Sequence, residues 1–208
     1  MFTLQTLFGK GDKSFDLLTA TAEEGLRSVE ALNRILNDTS VAPALDDFAA
    51  PRRKVKALAE EIEECIGKTS SSMMEPEELL ALSLLLYQVP KTIEKFAGRY
   101  ALSAIGFPGA KFEIQARMLD EAVRIVAIMF RHLKKYDVSV VTQQNSRLQQ
   151  IEGEADKLMI EQFRGVYSGK YEAVAAIALK DLYEILEKAI DHCRDAGNAV
   201  AQVVLKHS

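Results

Sequence analysis

The chain has 208 residues, 48% of them hydrophobic and 27% charged, with a formal net charge of -4. That length supports one large domain or two small ones with a packed core, and the composition is that of a soluble globular protein. The mildly acidic balance, with lysines and arginines scattered along the chain, excludes a nucleic-acid groove, which needs a basic stripe.

Residues 1–13 carry an apolar hook of Phe2, Leu4, Leu7 and Phe8 that is expected to dock on the body, followed by Gly9 and Gly11. They lack a basic start and a long apolar core, so they do not read as a signal peptide. A first helix is expected from Ser14, capped by Ser14 or Asp12. Phe15, Leu18, Ala22, Leu26, Val29, Leu32 and Leu36 recur along it at three- and four-residue spacing, and Asn37 to Ser40 ends it. Pro43 opens a second helical segment that runs to about Lys68 through Leu45, Phe48, Val55, Leu58, Ile62, Cys65 and Ile66, with Pro51 early in it. Gly67 to Ser72 forms a polar break, and Met73 and Met74 fall in a loop. Glu75-Pro76-Glu77-Glu78 starts a third helix, with acids where the helix dipole favours them. Its first half is apolar nearly all round, which predicts a buried central helix, and Pro90 predicts a kink. The apolar run from Leu79 to Pro90 falls short of the ~20 residues a membrane span requires.

Gly98, Gly106, Pro108 and Gly109 mark the strongest boundary in the chain. Beyond it a fourth helix carries Phe112, Leu119, Ala122, Val126, Met129, Leu133 and Tyr136. A fifth, from Asp137–Ser139 to about Tyr167, ends at Ser168-Gly169. A sixth runs from Tyr171 to about Lys206, with Val174, Ala178, Leu182, Ile185, Ala189, Cys193, Ala196, Val200 and Val203 on one stripe. No segment shows strand alternation. The fold class is all-α: six long helices, three on each side of the boundary, which suggests an internal duplication of an antiparallel three-helix bundle. The division expected is residues 1–105 for the first bundle with its N-terminal hook and residues 106–208 for the second. Cys65 and Cys193 both fall in helical patterns and read as reduced thiols, which points to a cytoplasmic compartment.

Chemistry concentrates in the last two helices. Glu152 and Asp156 stand four residues apart on the fifth helix, as do Glu187 and Asp191 on the sixth, so each pair projects from one face. A wheel at ~100° per residue puts Glu184, Glu187, Asp191 and Asp195 in a narrow arc nearly opposite the apolar stripe, which predicts a surface face. Only Lys188 and Arg194 stand close enough to compensate them, and like charges so stacked cost stability unless a cation binds. Glu152 and Asp156 flank the apolar stripe and can lean toward a neighbouring helix, whereas Glu154 points away. The arrangement leaves two readings open: a site for a hard or borderline cation (Fe, Mn, Mg or Ca), or solvated acids. A ferritin-like di-iron centre is excluded, because neither His132, His192 nor His207 follows a glutamate by three residues. His192 reads as a surface residue. There is no phosphate loop, nucleophile elbow or Cys-x-x-Cys.

The run IEGEADKL, followed by DLYEILEKAIDHCRDAGNAVAQVVLKHS, resembles the PhoU-like family of phosphate transport regulators, also called Pit accessory proteins, and LFGKGDKSFDLL is similar to that family's opening. The resemblance implies two repeated three-helix bundles, each with a Glu(or Asp)-x-x-x-Asp motif, and in some members surface iron or zinc clusters. The matching metal ligands here are Glu152, Asp156, Glu187 and Asp191, with Glu184 and Asp195 beside them, for a divalent or trivalent ion such as Fe, Zn, Mn or Mg. The first half departs from the pattern. Val55 and Ala59 stand where its first motif belongs, and Tyr87, Gln88 and Lys91 where its second does. The resemblance thus implies a non-enzymatic cytoplasmic regulator, at the inner face of the membrane, that contacts a membrane phosphate transporter; self-association stays open and no nucleic acid is expected. A metal-dependent hydrolase using the same carboxylates, and a structural module without metal, are the alternatives.

Overall fold

A computed structural model of the protein describes residues 4–37, 44–68, 74–102 and 110–208, with side chains from residue 13 onward. Six α-helices account for nearly all of it: α1 Leu4–Asn37, α2 Asp46–Lys68, α3 Pro76–Leu102, α4 Phe112–Leu133, α5 Val138–Gly165 and α6 Ala173–Lys206. The described residues contain no strand, and the fold is all-α as the periodicity requires.

The helix boundaries differ from expectation where glycine was given too much weight. Helix α1 starts at Leu4 rather than Ser14, so Gly9 and Gly11 lie inside it and Ser14 is a buried interior residue, not a cap. An interior glycine costs a helix about 1 kcal/mol, too little to stop one that continues into a packed stripe. The side chains of the expected apolar hook (Phe2, Leu4, Leu7 and Phe8) lie outside the described residues, as do Pro43, Met73, Gly106, Pro108 and Gly109. Gly98 is likewise interior to α3, which continues through Pro90 to Leu102. Nor is α3 buried all round. Leu79, Leu82 and Leu86 are in the core, but Leu80 and Leu84, one turn apart, are exposed. Met74 lies in a loop as expected, and its side chain is packed in the core.

Several ends are held by identifiable contacts. The Glu78 carboxylate accepts the Glu75 backbone N–H at 3.0 Å, closing the first turn of α3. The Asp137 carboxylate accepts the Val140 N–H at 3.1 Å and caps α5. A π-helical turn, Val166–Lys170, follows α5, and Gly169 there has φ of 81°, a conformation that favours glycine.

Helices α1, α2 and α3 pack on one another, as do α4, α5 and α6, and the two trios meet where α1 lies on α4 and α3 on α6. The buried apolar residues form one continuous core. Its aromatic centre joins three helices: the rings of Phe96 and Phe112 are 5.6 Å apart, and those of Phe112 and Tyr183 5.1 Å. Helix α6 contributes the longest buried stripe, from Ala175 to Val204, because α3, α4 and α5 all pack against it. The approach of α5 is closest at Gly197. A β-carbon there would sit 2.3 Å from Leu148 Cδ1 and 2.9 Å from Asn145 Oδ1.

Gly197→Ala is therefore expected to destabilise the protein by about 1–3 kcal/mol, since the methyl must displace buried Leu148. Gly98→Ala meets nothing within 4 Å and is expected to stabilise by about 0.5–1 kcal/mol through helix propensity. Urea unfolding midpoints of the two variants check the difference in sign.

Candidate metal centre

The carboxylates of the two acidic motifs converge on the α5–α6 seam. On α5, Leu148, Ile151 and Ala155 face the core and place Glu152 and Asp156 at its edge. On α6, Ala189, Ile190 and Cys193 are buried and place Glu187 and Asp191 on the flank toward α5. Cys193 is a free thiol whose pKa burial pushes up; Cys65 is also free.

The cations are closer than the wheel suggested. Arg194 of α6 crosses the seam and pairs with Glu152 of α5. The same guanidinium reaches Asp191 at 3.3 Å and Asp195 at 3.0 Å. Lys188 donates to Asp191 at 2.9 Å, and Lys180, four residues before it, pairs with Glu184. Glu154 faces Arg147 at 3.5 Å. Nor is the acidic arc an open surface: the Asp191 side chain is only 15% exposed. The wheel gives the direction of a side chain but not how far a neighbouring helix covers it, and α5 covers this flank.

Glu187 differs from the others. It forms no ion pair among the described residues, and it is half-buried. Burial, then the nearby charges of Asp191 and Asp156, push its carboxyl up to about 7, with Lys188 opposing and Glu152 adding a smaller push. Asp156 is exposed and also forms no ion pair among the described residues.

This donor set does not fit a metal ion as it stands. Among the described residues no three His, Cys, Asp or Glu side chains converge as metal ligands. Two of the four motif carboxylates already accept from Arg194, which has only donors to offer. No histidine joins them: His132 contacts Asp137 at 3.3 Å, and His207 contacts Glu78 at 3.1 Å. His192 is half-buried rather than a surface residue, and that burial lowers its pKa. In the first half the corresponding seam holds Val55, fully buried, and Arg52 of α2 pairs with Glu94 and hydrogen-bonds Tyr87, both on α3.

One feature of the second half has no counterpart in the sequence motifs. A cleft of about 380 Å³ opens at the far end of α5, lined by Lys111, Leu158, Gln162, Lys170, Tyr171 and Tyr183 among others. Fully buried Gln115 supports it, donating to the Tyr183 carbonyl at 3.2 Å and accepting from Gln162 at 3.3 Å. The signal was a glutamine on the core face of α4, between Phe112 and Leu119.

Six helices in two packed trios, with an acidic seam in the second, define the class: an all-α protein with the PhoU-like fold. Two crystal structures from Shewanella oneidensis MR-1 share it. One, a PhoU-like protein, superposes with a TM-score of 0.75 at 16% identity, covering 93% of this chain and 99% of its own. The other, described as a candidate PhoU-like phosphate regulatory protein, gives 0.77 at 17% identity with the same coverage. The UPF0111 protein YkaA of Bacillus subtilis (strain 168) is 19% identical over 143 residues, 69% of this chain and 70% of its own length. No family model matches the sequence. At these identities the likeness to the solved structures is one of fold.

The Glu187 carboxyl gives a test of the geometry. Its folded pKa of about 7 lies well above the ordinary glutamate value, so the folded state holds the proton more tightly. The stabilisation this provides is complete below the unfolded pKa and is lost as pH rises through 7. Glu187→Gln, neutral throughout, is expected to exceed the parent's stability by about 1–2 kcal/mol at pH about 8, after allowance for solvent screening, and to match it at about pH 4 and below. The lowered pKa of His192 acts in the opposite direction in both proteins, so the difference between their urea unfolding curves isolates Glu187.

Proposed function

We propose that the protein is a non-enzymatic regulator of inorganic phosphate transport, acting on the cytoplasmic side as a peripheral partner of a membrane phosphate transporter. The observation that carries this reading is the PhoU-like fold over 93% of the chain, shared with a protein described as a candidate phosphate regulator. No helix among the described residues is long and apolar enough to cross a membrane, which accords with peripheral contact.

The α5–α6 seam supplies a physical basis for that contact. Five carboxylates (Glu152, Asp156, Glu187, Asp191 and Asp195) face two cations there, Arg194 and Lys188, so the seam keeps negative charge. Cytoplasmic loops of membrane proteins carry an excess of lysine and arginine. An acidic face with an exposed, unpaired Asp156 is complementary to such a loop, and attraction of this kind sets encounter rate and specificity while weakening with salt.

The full-length protein used as bait on solubilised membranes is expected to recover a phosphate transporter. Recovery should fall several-fold with Asp156→Lys and as salt is raised from about 50 mM to about 500 mM. If no transporter is recovered and deletion of the gene leaves phosphate uptake unchanged, the reading fails.

A further inference from the structure

The two acidic pairs meet over a guanidinium. Arg194 extends from α6 to Glu152 of α5 and at the same time contacts Asp191 and Asp195 of its own helix. Its side chain is 26% exposed, so the charge is partly withdrawn from water and fixed among acids. A guanidinium presents five N–H donors in a rigid fork and stays charged at any accessible pH. Carboxylate lone pairs that accept these protons are withdrawn from coordination, and a fixed positive charge repels a second cation at contact distance.

The first half of the chain closes its corresponding seam with the same chemistry in reverse order. There the second helix carries the arginine, Arg52, and the third carries the carboxylate, Glu94. In the second half the carboxylate, Glu152, is on the second helix and the arginine, Arg194, on the third. In the correspondence that the resemblance implies, Lys91 matches Asp191, and three residues beyond them stand Glu94 and Arg194; on the second helix Arg52 stands three residues before Val55, the position that matches Glu152. An arginine–glutamate clasp between second and third helices is thus common to both halves, including the half where the acidic motifs are absent.

We propose that Arg194 is the resident cation of the α5–α6 seam: it holds the place a metal would take, makes this face independent of metal, and excludes one. Removing its guanidinium frees the Glu152 and Asp191 lone pairs, so that side-chain rotation can gather Glu152, Asp156, Glu187 and Asp191, which do not converge in this structure, on a hard or borderline divalent ion. The inference rests on the seam's geometry and stands apart from the proposed role in phosphate transport.

The test uses the full chain, stripped with chelator and dialysed against Mn²⁺ or Zn²⁺ alone, with bound metal and thermal midpoint as readouts. The parent and Arg194→Lys are expected to retain no stoichiometric metal and to show no metal-dependent shift in midpoint. Arg194→Met and Arg194→Gln are expected to bind about one equivalent, at least about tenfold more tightly than the parent, with a raised midpoint. That gain should disappear when Asp156→Asn and Glu187→Gln are added. Glutamine keeps a donor for Glu152, so Arg194→Gln reports even if the methionine variant folds poorly; a variant that folds only with metal also supports the proposal. A parent that holds one equivalent after dialysis overturns it. Equal uptake by the parent and the Arg194 variants overturns it too, whether both bind or neither does.

Discussion

The structure depends on the burial of α6 on three sides. Its apolar stripe extends from Ala175 to Val204 and packs on α3, α4 and α5. Little of the helix circumference is left for polar groups, and the acids occupy the strip that borders α5. Partial loss of water there makes each ionised carboxylate costly unless a cation accompanies it. Arg194 and Lys188 meet that need for Glu152, Asp191 and Asp195. Glu187 is left over, and its raised pKa is the direct result. The electrostatics of the seam thus follow from the packing of a single helix.

A guanidinium and a metal ion organise such a seam differently. A metal ion would draw carboxylate oxygens onto one centre, and removing it would leave their charges opposed. A guanidinium is covalently part of the chain, so the clasp forms when the helices dock and needs nothing from outside. On the reading proposed for Arg194, the seam keeps an acidic face whose charge depends on the protein alone. The likeness to PhoU-like structures at 16–17% identity is one of fold. The fold is specified by where apolar residues recur, which tolerates wide change elsewhere, including exchange of charge between partner helices.

The helices were legible because each carries an apolar stripe at three- and four-residue spacing. What sequence could not resolve was depth and reach. The angular position of Asp191 was correct, but whether it met water depended on the seam residues of α5, more than thirty residues away in the chain. Arg194 was visible as a neighbour of the acids, yet its contact with Glu152 appears only when two helices are set side by side. Leu80 and Leu84 looked like core because leucine is the commonest core residue, but α3 has neighbours on only part of its circumference. The start of α1 was misplaced because two glycines resemble a break and cost the helix little. The cleft beside Tyr183 was hidden because its walls come from three separate stretches of chain.

The contact at Gly197 limits how such a protein can move. Leu148 and Asn145 of α5 sit in the notch it leaves on α6. Sliding α5 by one turn would carry that notch away and bring Leu148 against Cys193 or Ala201, residues with side chains. Small shear displacements are a common way for packed helices to transmit a signal, and this pair is geared against them. The register of the seam is thus held by a packing contact as well as by the clasp. A partner that grips the acidic face takes hold of both helices at once, and a rearrangement it provokes falls first on the contacts this pair makes with α3 and α4.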